Sequence, residues 1–297
     1  MKLTFLGTSS MVPTRDRSHP AAFLELEPYG LLLDCGEGTQ RQFKLADIRP
    51  TRITHILLTH WHGDHTLGLP GLLQTLSAMN HGQKITIVGP KGTKIHLGHM
   101  MKAFIFSDAD LDLTVIEVSK NPVLKTDGFV LESYPLKHNV PVVGYRITER
   151  DRIKVDSSKL EKLGIKEGPW LKTVLQGKSA KVKGKTIKPS DVTFKQKGKI
   201  VALVTDTELT PSCYDIAKDV DLLICEASFA SKHEEKALQY SHLTAIQAAQ
   251  LASQSNVNKL VLTHFSQRYK SVAEIIEEAK GIFPDTAEAF DFMKVRI

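Results

Sequence analysis

Four short apolar runs of this 297-residue chain end in a histidine or an aspartate. ITHILLTH ends at His60, LESYPLKH at His138, IVALVTD at Asp206 and LVLTH at His264. Runs of this length bounded by turn residues read as strands, and all but LESYPLKH are rich in β-branched residues. Taken singly, a polar residue at a strand end caps or hydrogen-bonds a turn. The first of the four shifts that reading. It continues as THWHGDH over residues 59–65, which sets His60, His62, Asp64 and His65 within six consecutive positions. Residues two apart in extended chain point the same way, so His60 and His62 can grip one ion. Gly63 allows a turn, after which Asp64 and His65 can face a second. Imidazole and carboxylate are ligands of zinc and other borderline divalent cations. With His138, Asp206 and His264 the set reaches seven, enough for two ions. Asp206 is then the natural bridge, because a carboxylate has two oxygens.

The rest of the chain fits around such strand ends. LTFLG, AAFLEL, GLLLDCG, KITIVGP and LLICEASF read as further strands, and FVLESYPLKH with VVGYRIT as a hairpin-like pair. PGLLQTLSAMN, HLGHMMKAFIF, SHLTAIQAAQLASQS and SVAEIIEEAKGIF have the spacing of helices packed on a sheet. Strands precede helices in both halves, which argues for an α/β layout with helices covering a sheet or sheet pair. Residues 149–199 break the pattern with Lys, Gly and scattered apolar positions. They read as an inserted, flexible arm between two parts, 1–148 and 200–297, of one main domain. From residue 149 to residue 200 there are 15 Lys or Arg and 6 Asp or Glu, a net of +9 in a chain whose net is +6. The basic character therefore belongs to this segment, a candidate contact for a polyanion.

Composition adds mainly exclusions. A hydrophobic fraction of 41% and a charged fraction of 24% are those of a globular protein. No run approaches the roughly 18 apolar residues of a membrane span. The start, MKLTFLGTSS, lacks the parts of a signal peptide, so a cytoplasmic location and no membrane partner are expected. Cys35, Cys213 and Cys225 fit no CxxC pattern and are expected to be buried thiols.

The segment HWHGDH resembles the HxHxDH signature of the metallo-β-lactamase superfamily. Its companions are similar to successive motifs of one branch, the ribonuclease Z family of tRNA 3′-processing endonucleases: LLLDCGEGTQRQ at 31–42, KHNVPVVGYRI at 137–147, TDT at 205–207 and THFSQRY at 263–269. The similarity runs from Met1 to about Tyr269. It implies a four-layer αββα fold with a protruding basic arm inserted in the second half. It implies one zinc on His60, His62 and His138 and another on Asp64, His65 and His264, with Asp206 bridging. Asp34 would support a ligand from outside the centre; as a bare sequence feature it also suits a turn before Cys-Gly.

The resemblance carries further roles. EASF at 226–229 is similar to the family's His-Glu-Ala-Thr box, with Cys225 in place of the His and Ser228 in place of the Thr. Glu226 would orient His242, and His242 would protonate the leaving oxygen, while Asp64 would handle the proton of the attacking water. From sequence alone, His242 equally suits a place near the N-cap of the next helix. Residues 13–18, PTRDRS, partly match a substrate loop in which Arg15 and Arg17 would contact RNA; Arg15 and Ser18 stand where the family has Lys and Asn. Gly168, Pro169 and Lys172 would belong to the arm's tRNA-gripping tip. The implied partners are precursor tRNA and a second copy of the chain as a homodimer. Zn, Mn and Fe share such ligands. Small phosphodiesterases, thioesterases and lactonases share HxHxDH but fit the arm and flanking motifs poorly. A non-catalytic RNA-binding relative would be expected to have lost some of the seven ligands.

Overall fold

Alternation along the apolar runs decides the layering. The computed structural model describes residues 1–103, 111–182 and 184–297. Of the helix expected at 96–106, positions 104–106 lie outside the described residues, as does position 183 of the insertion. In chain order the strands are β1 (Lys2–Gly7), β2 (Ala21–Leu26), β3 (Tyr29–Leu33), β4 (His55–Leu57), β5 (Ile85–Gly89), β6 (Leu113–Glu117), β7 (Leu124–Lys125), β8 (Phe129–Pro135) and β9 (Val143–Glu149). Within the insertion follow β10 (Arg152–Val155), β11 (Ala180–Val182), β12 (Lys185–Ile187) and β13 (Thr193–Gln196). The last are β14 (Ile200–Val204), β15 (Leu222–Glu226), β16 (Leu260–Thr263), β17 (Thr286–Glu288) and β18 (Lys294–Arg296). The chain divides into two compact units, Met1–Thr148 with Lys199–Ile297, and Glu149–Gly198.

The larger unit holds two seven-stranded sheets, ordered β18-β1-β2-β3-β4-β5-β6 and β17-β16-β15-β14-β9-β8-β7. Successive side chains of a strand face opposite ways, and the buried residues sort accordingly. Leu31, Leu33, Val201 and Leu203 join one core with Leu3, Phe5, Tyr145 and Ile224, so the two sheets face each other. Leu32 and Ile56 turn outward under the helices Thr39–Leu45 and Leu69–Ala78. Ala202 and Val204 turn outward under Pro211–Ala217, Ala245–Gln254 and Ala273–Lys280. Three stacked cores make four layers, helix–sheet–sheet–helix, as expected. Each fully buried aliphatic side chain contributes about 1.5–3 kcal/mol.

Strand direction places the chemistry. β3, β4 and β5 run parallel, as do β14, β15 and β16. Their carboxyl ends therefore fall at the same edge of each sheet. Tyr145 is fully buried in β9 and its hydroxyl donates to the Leu58 carbonyl at 2.7 Å. The Val143 N–H donates to the Thr59 carbonyl at 3.0 Å. These bonds tie the second sheet to the strand end that precedes His60.

The smaller unit has its own order. β10 pairs with β13 and β11 with β12, both antiparallel. Asp156 caps the helix Ser157–Lys162 by accepting from the N–H groups of Ser158 and Lys159. Leu160, Ile165, Val174, Ile187 and Val192, which look scattered along the chain, converge into a small core. Among the described residues no helix is long and apolar enough to cross a membrane. The three cysteines are free and buried.

Candidate metal centre

Three residues just past strand ends take a left-handed backbone: Asp34 after β3 (φ 55), Asp206 after β14 (φ 52) and His264 after β16 (φ 60). That region is uncommon for side-chain-bearing residues, and holding one there costs on the order of 1–3 kcal/mol. Each of the three turns a polar side chain into one buried cluster. His60 follows β4, and the short helix Gly63–Thr66 carries Asp64 and His65. Gly68 packs against the Gly36 carbonyl so closely that a Cβ would sit 2.0 Å from it. A side chain there would push the HxHxDH loop away from the β3 end.

All seven expected ligands come together. His60, His62 and His138 bring one ligand atom each to within 4.8 Å of one another, and Asp64, His65 and His264 do the same. His60 Nε2 lies 3.0 Å from His62 Nδ1, and His65 Nε2 lies 3.3 Å from His264 Nε2. Asp206 lies between the groups, with Oδ2 3.3 Å from His65, and Oδ1 3.4 Å from His264 and 4.0 Å from His60. His242 also approaches Asp206, at 3.9 Å.

The chemistry of this donor set fits divalent ions. Four of the imidazoles have the Nδ1 side engaged by a neighbour, which leaves Nε2 to face the centre. His65 Nδ1 donates to Asp34 at 2.7 Å and His138 Nδ1 to the Ser241 carbonyl at 3.2 Å. The Thr59 hydroxyl donates to Asp34 and accepts from His60 Nδ1. The Ser228 hydroxyl donates to Glu226 and accepts from His264 Nδ1. Such outer partners fix the orientation and tautomer of metal-binding histidines. Charge points the same way. Burial lowers the pKa of His60, His62 and His138, keeping them neutral, as ligands must be. Burial opposes ionisation of Asp64 and Asp206 too, but the surrounding imidazoles outweigh it and hold both below the usual carboxylate range. Burial also opposes charge on His65, yet Asp206, Asp34 and Asp64 together push its pKa up. Carboxylates gathered in this way draw positive charge, which a bound cation supplies.

Beside the cluster stands a second arrangement. Glu226, fully buried at the end of β15, accepts from the Thr207 N–H at 2.8 Å, from Ser228 at 2.7 Å and from His242 Nδ1 at 2.9 Å. Burial works against a charged His242, but Glu226, by charge and by hydrogen bond, and then Asp206 prevail and push its pKa up to about 9. The two departures from the family box have simple readings. Ser228 keeps the hydroxyl that bridges Glu226 and His264, and Cys225 points away into the helix-side core. The bland reading of His242 also holds in part: Thr244, two residues on, caps the helix Ala245–Gln254 through a capping box with Gln247.

The cluster opens on a pocket of about 700 Å³. Met11, Leu67, Phe229, Tyr240, Gln267 and Arg268 line its walls. Arg15 and Arg17 are not among the lining residues. Arg15 is exposed, while half-buried Arg17 donates to the Tyr269 carbonyl at 2.6 Å. In the smaller unit Pro169 and Lys172 are exposed and Gly168 is half-buried. One brace escapes sequence reasoning. Asp291 accepts from the Thr8 hydroxyl, the Ser18 N–H and the Gln42 amide, and so ties the base of the 13–18 loop to the C-terminal segment. Gln42 lies in the first family motif, but nothing in the sequence points to its partner 249 positions away.

Comparison with known proteins agrees with the fold and narrows the family. A family described as Anti-Pycsar protein Apyc1 matches residues 1–140. The metallo-β-lactamase fold protein YhfI of Bacillus subtilis superposes with a TM-score of 0.71 over 99% of this chain and 98% of its own, at 17% identity. Human tRNase Z, short form, superposes with a TM-score of 0.73 over 100% of this chain and 99% of its own, at 26% identity. Ribonuclease Z of Archaeoglobus fulgidus is 37% identical over 300 residues, covering 100% of this chain and 97% of that protein. Identity at that level, sustained along both chains and carried by a shared fold, makes this chain a member of the ribonuclease Z family.

Proposed function

We propose that the chain is an endoribonuclease that removes the 3′ trailer of precursor tRNA, using two zinc ions held by the seven clustered residues. The observation that carries this reading is the pairing of a two-group ligand cluster with a buried Glu226–His242 hydrogen bond at its edge. Family membership supports the substrate. His60, His62 and His138 would hold one ion, and Asp64, His65 and His264 the other, with Asp206 shared. Bound there, divalent ions supply Lewis acidity that lowers the pKa of water and draws charge from the phosphoryl oxygens. Asp64 orients the attacking water and takes its proton. The phosphorus–3′-oxygen bond after the discriminator nucleotide breaks, and His242 gives its proton to the departing oxygen, held in place by Glu226. The tRNA leaves with a 3′-hydroxyl and the trailer with a 5′-phosphate. We propose further that the chain works in the cytoplasm as a homodimer, as the motif resemblance implies.

The direct test is to incubate the protein with a trailer-bearing precursor tRNA, with and without a chelator, and to map the ends. Cleavage after the discriminator, abolished by chelation and restored by zinc, is the expected result. Hydrolysis of a thioester or lactone with the precursor left intact would point to another hydrolase of the superfamily.

Residues 149–198 are proposed to hold the tRNA body through phosphate contacts, read by shape more than by sequence. Lys166, Lys172 and Lys178 are exposed there. Reversing all three to Glu is expected to lower kcat/KM for precursor tRNA at least roughly tenfold and to flatten its salt dependence, since fewer counterions are released. Hydrolysis of bis(p-nitrophenyl) phosphate should be unchanged. Charge reversal is preferable to excising 168–177, because that segment contains Val174 of the small core. Equal loss on both substrates would count against the arm.

A further inference from the structure

The pocket wall next to His242 carries three groups that proton transfer does not use. Phe229 is 5% exposed, and its ring centroid lies 6.1 Å from that of His242. Two exposed groups rest on it. The Tyr240 ring is stacked over Phe229 at 6.4 Å with the planes 10° apart, and Tyr240 is 53% exposed. The Arg268 guanidinium lies 4.9 Å from the centre of the same ring, and its Nε donates to the Ser266 hydroxyl at 3.2 Å. A flexible, exposed arginine and an exposed tyrosine are thus both seated on one buried ring at the pocket wall.

Their position is tied to the chemistry. Ser241, between Tyr240 and His242, has a left-handed backbone with φ 54. Its hydroxyl donates to Glu208 at 3.0 Å and its carbonyl accepts from His138 Nδ1 at 3.2 Å. One turn therefore sets the stacking ring, the imidazole and an expected metal ligand in fixed relation.

We propose that Tyr240 and Arg268, seated on Phe229, form a stacking subsite for the unpaired base on the 5′ side of the cut, the base of the nucleotide whose 3′ oxygen leaves. The choice of side rests on the function proposed above, because a group that protonates the leaving oxygen must face the nucleotide that carries it. Aromatic and guanidinium planes both stack on nucleobases, and every base presents such a face. The subsite would thus position the nucleotide while tolerating any base identity. It would also keep the strand from sliding by one nucleotide past His242.

A substrate-by-enzyme cycle tests this. Two precursor tRNAs are compared, one natural and one with an abasic ribose at the position before the cut, each with the wild type, Tyr240→Ala and Tyr240→Trp. Losing one base stack is expected to lower kcat/KM about 5–150-fold. The wild type should lose that factor on the abasic substrate, and Tyr240→Ala should lose it on the natural one. The two losses should not multiply, so Tyr240→Ala treats both substrates alike. Tyr240→Trp should recover most of the activity, and metal content should be unchanged in both variants. Full activity of Tyr240→Ala on the natural substrate would overturn the subsite, as would losses that multiply. A wild type that cleaves neither precursor would overturn the proposed function, and the subsite with it.

Discussion

Asp206→Ala is expected to retain fewer than two divalent ions per chain and to lose at least about 10³-fold in kcat/KM, more than the roughly 10–100-fold of losing a residue that only orients a ligand. The carboxylate of Asp206 lies within 4.0 Å of histidines from both ligand groups, and is itself held by the Thr205 hydroxyl at 2.7 Å. On the proposed ligand set, removing it takes a ligand from both groups at once and leaves His60, His65 and His264 facing one another without the carboxylate between them. Alanine has a second defect, since it fits the left-handed backbone at φ 52 poorly. Asp206→Asn separates the two effects, because asparagine tolerates that backbone and nearly matches aspartate in size, yet has one acceptor oxygen and no charge. Metal analysis after dialysis should show a deficit in both variants, with normal thermal unfolding under chelation for the asparagine variant. Two tightly held ions in Asp206→Asn would end the bridging assignment.

The proposed ligand set is legible in the sequence because it joins two signals that reinforce each other: a residue type suited to metals, and its place directly after an apolar run. β4, β14 and β16 are short and buried, so their ends are sharp. The other parts of the site rest on relations that no local pattern encodes. The left-handed backbone at Asp34, Asp206 and His264 follows from how the loops close, and neither aspartate nor histidine announces it. β1 pairs with β18, setting Leu3 opposite Val295, a contact that only the folded sheet creates. Phe229 and Tyr240 belong to different elements, so their stacking leaves no periodic trace. The insertion misleads in another way. Its core residues are separated by turns and short helices, which conceals a packing that Leu160, Val174 and Val192 nevertheless achieve. Arg17 has a contact that its motif does not encode: its guanidinium donates to the Tyr269 carbonyl and so helps to brace the 263–269 segment.

His242→Ala is expected to lower kcat and kcat/KM together by about 10²–10⁴-fold, the contribution of a positioned general acid, while the metal content stays at the wild-type value. Metal content is the decisive control, because His242 also lies within 4.8 Å of Asp206 and His264 in a grouping that could hold an ion. Its Nδ1 is bound to Glu226 at 2.9 Å, so the proposed proton donor is Nε2. An alkoxide leaves poorly and a thiolate well, since a thiol has a pKa near 8.5. A precursor with sulfur in place of the bridging 3′ oxygen should therefore be cleaved by His242→Ala at close to the wild-type rate. Protonation gives a further readout. Glu226 raises the pKa of His242, so its acid form persists to higher pH and the rate falls as pH rises through that value. Glu226→Gln removes the charge, lowers the pKa and should move the alkaline limb of kcat to lower pH. A His242→Ala chain equally impaired on the oxygen and sulfur substrates, with metal lost, would instead make His242 a ligand, and the leaving oxygen would need another proton source.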